Sequence, residues 1–319
     1  MARMRILTNN EQEAFDRPPV FDHKERKQFL VLPKGMMDIA TGLRSPDSQI
    51  GFLLMCGYFK ATKRFYQPHN FHERDIAFAA HQLDVSENAF QPYQYAETTR
   101  LRHQRLILEF HGFVSFDERA SKGLATEIAT MARMHLKPRL IFDRCVDFLI
   151  QRHVQVPTAR RLTDLIRASL HERKAELVTL MDSKLPAETR SLLDGLFTAP
   201  DDQNRYRLTL LKKLSQSTSP SRIKEAVADL EVLSDLYGQL YDILARLELG
   251  AAGIRYFAGS VLKSRMFQLQ QRSRPDRHLH VTAFVAHQFY CCQDNMIDLW
   301  LSVMAAFKSV AARAYQETL

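Results

Sequence analysis

Glycine and proline are scarce in this chain, 11 and 12 in 319 residues. A fold of many turns and short strands is therefore disfavoured, and abundant Leu, Ala and Arg favour helix. There are four cysteines, Cys56, Cys145, Cys291 and Cys292. Two are adjacent, and the spacings form neither a disulfide framework nor a CxxC zinc site. Free buried thiols in a reducing cytoplasm are the simplest account. No run of about 18 apolar residues is present, so nothing is expected to span a membrane. The N-terminal stretch MARMRILTNNEQEAF has no apolar core of signal-peptide length.

Recognisable catalytic chemistry is also lacking. There is no Gly-rich phosphate loop, no HExxH and no GxSxG. Asp294 and Asp298 stand four apart on one helix face, but a third acid is missing, so they read as a surface or interhelix pair and not a two-metal site. His287 and Cys291 are also four apart, with His280 one register earlier. Without a second ligand pair, core packing is the simpler reading and no metal is expected. The chain as given reads as a binding element and not a complete enzyme, with no cofactor of its own.

What is present is positive charge and helical period. Net charge is +8, unevenly spread. Arg133 to Lys174 holds ten Lys or Arg against four acids, and Arg255 to Arg277 holds six against one. Between them, Ala175 to Ile254 holds nine against twelve. Two basic blocks split by an acidic one suggest localised binding surfaces.

The densest cationic segment is Tyr95 to Phe116, YAETTRLRHQRLILEFHGFVSF. Thr98 or Thr99 can cap its start, and Gly112 sits where a helix stops. Leu101, Ile107, Leu108 and Phe110 can anchor it, while Arg100, Arg102, His103 and Arg105 crowd its middle. Such a helix can lie against a phosphate backbone or in a groove. It can equally be a solvated helix, since Arg105 and Glu109 stand four apart and can pair. Arg100, His103 and Ile107 share another face.

Helical punctuation continues along the chain. Thr8 to Phe15 is a capped helix, and a second helical segment starts near Asp22. Ser45-Pro46-Asp47 reads as N-cap, N1 proline and first-turn acid of a helix reaching Phe65. His72 to Leu83 is a further helix. Lys60, Lys63 and Arg64 complement a helix C-terminus or reach phosphates. Ser121 to Leu136 and Pro138 to His153 are helices joined at Lys137-Pro138. Pro157-Thr158 opens a long helix with an apolar stripe of Leu162, Leu165, Ile166, Leu170 and Leu177. Thr198 to Asn204 reads as a polar loop and Gln216 to Ser221 as a linker. Ile223 to Leu247 is amphipathic through Val227, Leu230, Leu233, Leu236, Leu240 and Leu247, a stripe that is core or a partner interface. There is no internal repeat and no low-complexity tract.

The expected fold is all-α: small helical bundles with helix-turn-helix-like modules joined by short linkers. The expected divisions are 1–116, 117–215 and 216–319. The first would be a DNA-binding module, the second a further basic module, and the third would lead towards a catalytic region. An alternative keeps the basic blocks as solvated faces and makes the chain a helical adaptor that binds protein through the Val227–Leu247 stripe.

The chain resembles the N-terminal region of replicative, class II transposases of the Tn-three family. In the first part the matching residues are Leu43-Arg44, Ile50-Gly51-Phe52, Cys56, Ala80-His81-Gln82-Leu83, Tyr95, Thr99-Arg100, His103, Ile107, Gly112-Phe113 and Phe116. Later come Leu185-Pro186-Ala187-Glu188, Ser219-Pro220, Arg274, Arg277, Ala283-Phe284, Asp294 and Asp298. The resemblance implies recognition of the transposon's terminal inverted repeats in double-stranded DNA, in a bacterial cytoplasm or nucleoid, and self-association in the full-length transposase. It further implies that this is an N-terminal piece of a longer protein, cut or naturally ended near Leu319. The divalent metal and DDE triad of the family's RNase H-like domain would then lie elsewhere. The sequence departs from the family where a glycine often follows the second helix; here it reads Lys60-Ala-Thr-Lys-Arg-Phe65. The candidate DNA contacts are Arg44, Lys60, Lys63, Arg64, Arg100, Arg102, His103, Arg105, Lys137, Arg139, Arg160, Arg161, Arg274 and Arg277.

Overall fold

The computed structural model describes residues 5–134, 137–198, 206–214 and 217–317. The expected helix end at Leu136, most of the Thr198–Asn204 loop and the linker start at Gln216 lie outside them. Among the described residues there are fifteen α-helices and no strand. The fold is all-α, and its one β-type pairing there is an isolated bridge between Val114 and Val154. The chain forms two compact units, Met1–Met131 with Lys137–Leu170, and Ala132–Leu136 with His171–Leu319.

The first unit opens with α1 (Asn9–Asp16) and α2 (His23–Phe29). Each starts on a reciprocal capping box, Thr8 with Glu11 and Asp22 with Glu25, which satisfies donors at the helix start. After α3 (Lys34–Thr41), α4 (Pro46–Thr62) begins with Ser45 accepting from the Ser48 amide and Pro46 in the first turn. Every residue of α4 from Ile50 to Phe59 is buried. A helix apolar on all sides belongs inside, and α4 packs against α2, α3, α5 (Glu73–Gln82) and α6 (Glu97–Phe110). Its glycines allow the closest approaches. A Cβ on Gly51 would enter the Tyr95 ring, and one on Gly57 would enter Leu30.

The core around α4 is aromatic, with Phe52, Tyr58, Phe59, Phe71 and Phe90 among its members. One ionic cluster is buried in it. Asp75, 0% exposed, accepts from Arg26 Nε at 2.7 Å and from the Tyr58 hydroxyl at 2.8 Å. Burial and the Asp75 carboxylate push the Tyr58 hydroxyl pKa well up. The unit continues through α7 (Glu118–Arg133), α8 (Pro138–Gln151) and the first part of α9 (Ala159–Lys184). Phe15 of α1 meets Phe142 of α8 edge-on at 5.1 Å, and Asp16 Oδ1 accepts from the Ala159 amide at 2.9 Å, capping α9.

The second unit uses the remainder of α9, α10 (Ala187–Gly195), α11 (Arg207–Leu211), α12 (Pro220–Leu247), α13 (Ala251–Lys263), α14 (Met266–Gln270) and α15 (Arg274–Glu317). The first part of α15 packs on α12 and α13. Leu233, Leu236, Leu240, Ile243 and Leu247 of α12 are buried in this unit's core. The stripe that would have served a protein partner is therefore interior from Leu233 onward. Only its first positions stay accessible, Val227 being exposed.

Candidate nucleic-acid interface

Helix α6 is held by one face. His103, Ile107 and Leu108 are buried. The helix starts earlier than Thr98 or Thr99: Ala96 is the N-cap, with no side-chain bond. It ends as expected, with Gly112 at φ 66 and the Phe113 amide bonding back to the Leu108 carbonyl. Glycine enters this left-handed region without a Cβ penalty. The outward face carries Arg102, Arg105 and Glu109, all exposed. Neither arginine has an ion pair among the described residues, so the expected Arg105–Glu109 pair is not made.

His103 is a correction to the expected contact set. It is 0% exposed, 2.6 Å from the Tyr95 hydroxyl through Nδ1 and edge-on to Phe52 at 5.1 Å. Desolvation, with Arg102 adding to it, lowers its pKa to about 4. A buried neutral imidazole cannot meet a phosphate. Arg100 shares that inward face. It donates to Gln67 Oε1 and lies 3.5 Å from Glu97, with its side chain 13% exposed.

Lys60 lies in the last turn of α4, Lys63 is its C-cap and Arg64 follows, and each is engaged inside its own unit. Lys60 Nζ donates to the Gln28 carbonyl at 2.6 Å, and Lys63 Nζ to the Lys60 carbonyl at 2.8 Å. Lys63 also sits 5.8 Å from the Phe59 ring and 5.7 Å from Phe113, and burial lowers its pKa, helped by Lys60. Its backbone is left-handed at φ 58, the conformation for which glycine is best suited. Arg64 is a second correction. It donates to the Phe15 carbonyl and stacks over the Phe15 ring at 3.9 Å, and desolvation lowers its pKa. This arginine braces α1.

Two histidines that sequence reading passed over join this region. His111 has its pKa lowered by burial and then by Lys63 and Lys60, and His153 stacks on Phe113 at 5.0 Å. No spacing signal links His153 to Phe113; the Val114–Val154 bridge brings them together.

Arg44 is exposed in the turn before α4, and Lys137 is exposed at the N-cap of α8. Arg161 is exposed at the start of α9, and Arg160 lies only within 3.9 Å of Asp164. Arg139 is spoken for, 2.7 Å from Glu11 and 3.3 Å from Asp143.

In the second unit, Arg274 and Arg277 converge on Asp194. Arg274 donates twice to Oδ2, at 2.9 and 2.6 Å, and Arg277 once to Oδ1 at 3.1 Å. His278 lies 2.9 Å from the same Oδ1. Desolvation works to raise the Asp194 pKa, but these bonds hold it below the usual carboxylate range. Asp276 behaves alike: His280 and Lys174 overcome its desolvation and hold it low.

His287 Nδ1 lies 3.3 Å from Cys291 Sγ, while His280 faces the Phe257 carbonyl and Asp276. Among the described residues no three His, Cys, Asp or Glu come together as a metal site. No described helix is long and apolar enough to cross a membrane.

A family model described as "Domain of unknown function (DUF4158)" matches residues 6–169. The chain belongs to this family. The matched segment nearly coincides with the first compact unit, so α6 and its outward arginines lie within the DUF4158 domain.

Proposed function

We propose that this chain is the N-terminal, DNA-binding part of a Tn-three-family transposase and recognises the terminal inverted repeats of its element. The observation that carries the reading is α6: buried on one face, it presents Arg102 and Arg105 outward with no ion-pair partner among the described residues. Unpaired arginines on an anchored helix suit guanine edges and phosphates. The DUF4158 family is found in Tn-three-family transposases, which supports the same reading. Lys137, Arg160 and Arg161 would hold phosphates, and Arg44 would add to them. Strand cleavage and its divalent metal would belong to a separate catalytic domain, and the site of action would be the bacterial cytoplasm.

Binding to a duplex bearing the element's own end, compared with random duplex across a salt series, tests this. With about five to eight phosphates engaged, log affinity falls against log salt with a slope of about −5 to −7. Arg102→Ala or Arg105→Ala should cost about 1–3 kcal/mol and relax sequence preference. Arg161→Ala should weaken all duplexes alike and reduce the slope by about one. Weak binding, equal on every duplex and indifferent to Arg102 and Arg105, would defeat the proposal.

A further inference from the structure

Helix α6 begins at Ala96 with no side chain capping it. An uncapped start leaves amide donors without partners and tends to fray. Arg102 and Arg105 stand in the turns that follow, so something else must fix where those turns sit. Tyr95, the residue before the cap, is placed to do so. It is 4% exposed, and its hydroxyl lies 2.6 Å from Nδ1 of His103, about two turns into the helix. The Tyr95 ring is seated on α4 against Gly51, where an added Cβ would come 2.5 Å from it. His103 stands edge-on to Phe52 of the same helix at 5.1 Å. Met55 Sδ, a weak acceptor, is 4.0 Å from the hydroxyl. His103 Nε2 is buried and has no partner among the described residues. The imidazole is thus oriented through its bond to Tyr95.

We infer that Tyr95 and His103 are positioning residues: their hydrogen bond sets the rotation of α6 on α4 and thereby aims Arg102 and Arg105. The use of this pin rests on the DNA reading, but the pin itself is a property of the free protein. Ile107 and Leu108 also anchor the helix, yet apolar contact is non-directional and tolerates a small roll. Arg100, tied to Gln67 on the inward face, holds through a long side chain and restricts a roll less. A hydrogen bond between two buried rings is directional. An arginine tip stands about 6 Å from the helix axis, so a roll of about 20° moves it by about 2 Å. Bonds to a base edge tolerate only a few tenths of an ångström. Phosphate contacts carry no base identity and are more forgiving. Loss of the pin therefore lowers discrimination before it lowers affinity.

Two measurements on the full chain test this. Tyr95→Phe keeps the ring and removes the hydroxyl. In the free protein, amide hydrogen exchange in the first two turns of α6 should then quicken about tenfold, with exchange in α8 unchanged. Preference for a duplex bearing the element's own end over random duplex should fall about tenfold, while affinity for random duplex stays within about twofold. Combining Tyr95→Phe with His103→Leu separates aiming from folding. With both partners apolar no buried group is left unpaired, so thermal stability should recover from the single change. The preference should not, whereas a purely structural role predicts that both recover. His103→Gln, which keeps a hydrogen-bonding group for Tyr95, should retain more preference than His103→Leu. Unchanged exchange of α6 in Tyr95→Phe overturns the pin. A preference that returns in the double variant overturns its aiming role. A parent chain that does not prefer its own end defeats the DNA reading instead, and the exchange result then decides the pin by itself.

Discussion

The two units place their acids differently. In the first, two acids are turned to structural work, Asp75 sunk in the core on Arg26 and Tyr58 and Asp16 capping α9, while others pair singly with surface cations, as Glu11 does with Arg139. Among the described residues, Arg102, Arg105, Lys137 and Arg161 have no ion-pair partner. In the second unit one carboxylate, Asp194, holds Arg274, Arg277 and His278 together, and Asp276 holds Lys174 and Arg272. Among the described residues both basic blocks are about half paired, with five of the ten cations of Arg133–Lys174 and three of the six of Arg255–Arg277 in ion pairs, but the pairs of the second block converge on two carboxylates. What decides whether a basic segment can bind an anion is which of its cations are still free, and Arg272, Arg274 and Arg277 are not.

The largest expected effect breaks the first half of that contrast. Asp75→Ala should strand a buried guanidinium and a buried hydroxyl, at a cost of about 3–5 kcal/mol. Denaturant titration of the first unit's unfolding should show it; a loss under about 1 kcal/mol would mean that the buried ion is not what pins the aromatic core. A smaller effect comes with pH. His103 has a folded pKa of about 4 against about 6.5 unfolded, so the unfolded chain binds the extra proton between these values. Stability should be fully present above about pH 6.5 and fall by up to about 3 kcal/mol as pH drops to about 4. His103→Gln should remove that dependence in thermal melts.

The smallest effect sharpens the contrast from the other side. Asp194→Ala should cost only about 1–2 kcal/mol, because its partners are partly solvated. It should also release Arg274 and Arg277 to bind anions. If engagement is what silences them, the variant should bind random duplex more tightly and with a salt slope steeper by about one to two than the parent. An unchanged slope would show that these arginines face no DNA whether paired or free.

How much of this was legible in the sequence depends on the range of the interactions. Local signals worked. Thr8 with Glu11, Ser45 before Pro46, and Gly112 mark helix ends whose partners lie within a few residues. Period worked where burial is one-sided, as for Leu162, Ile166 and Leu177, all buried. Grouping Arg100 with His103 and Ile107 on one face of α6 was also sound, but that face points inward. What sequence could not supply is which cations are already spoken for. Arg64 reaches Phe15, Arg139 reaches Glu11, and Arg277 reaches Asp194, across 49, 128 and 83 residues. The start of α6 at Ala96 was missed because no side chain caps it; Thr98 and Thr99 are good capping types, but here they lie inside the helix.

The burial of α4 has a consequence for the chain while it is being made. Its ten consecutive apolar-facing positions, Ile50 to Phe59, are covered by α2 and α3 before them but also by α5 and α6 after them. Leu108, part of that cover, is about fifty residues downstream of Phe59. At about 5–20 residues per second, synthesis leaves this helix with half its shelter missing for seconds. During that interval it is the segment on which a chaperone, or a neighbouring nascent chain, has the most to grip.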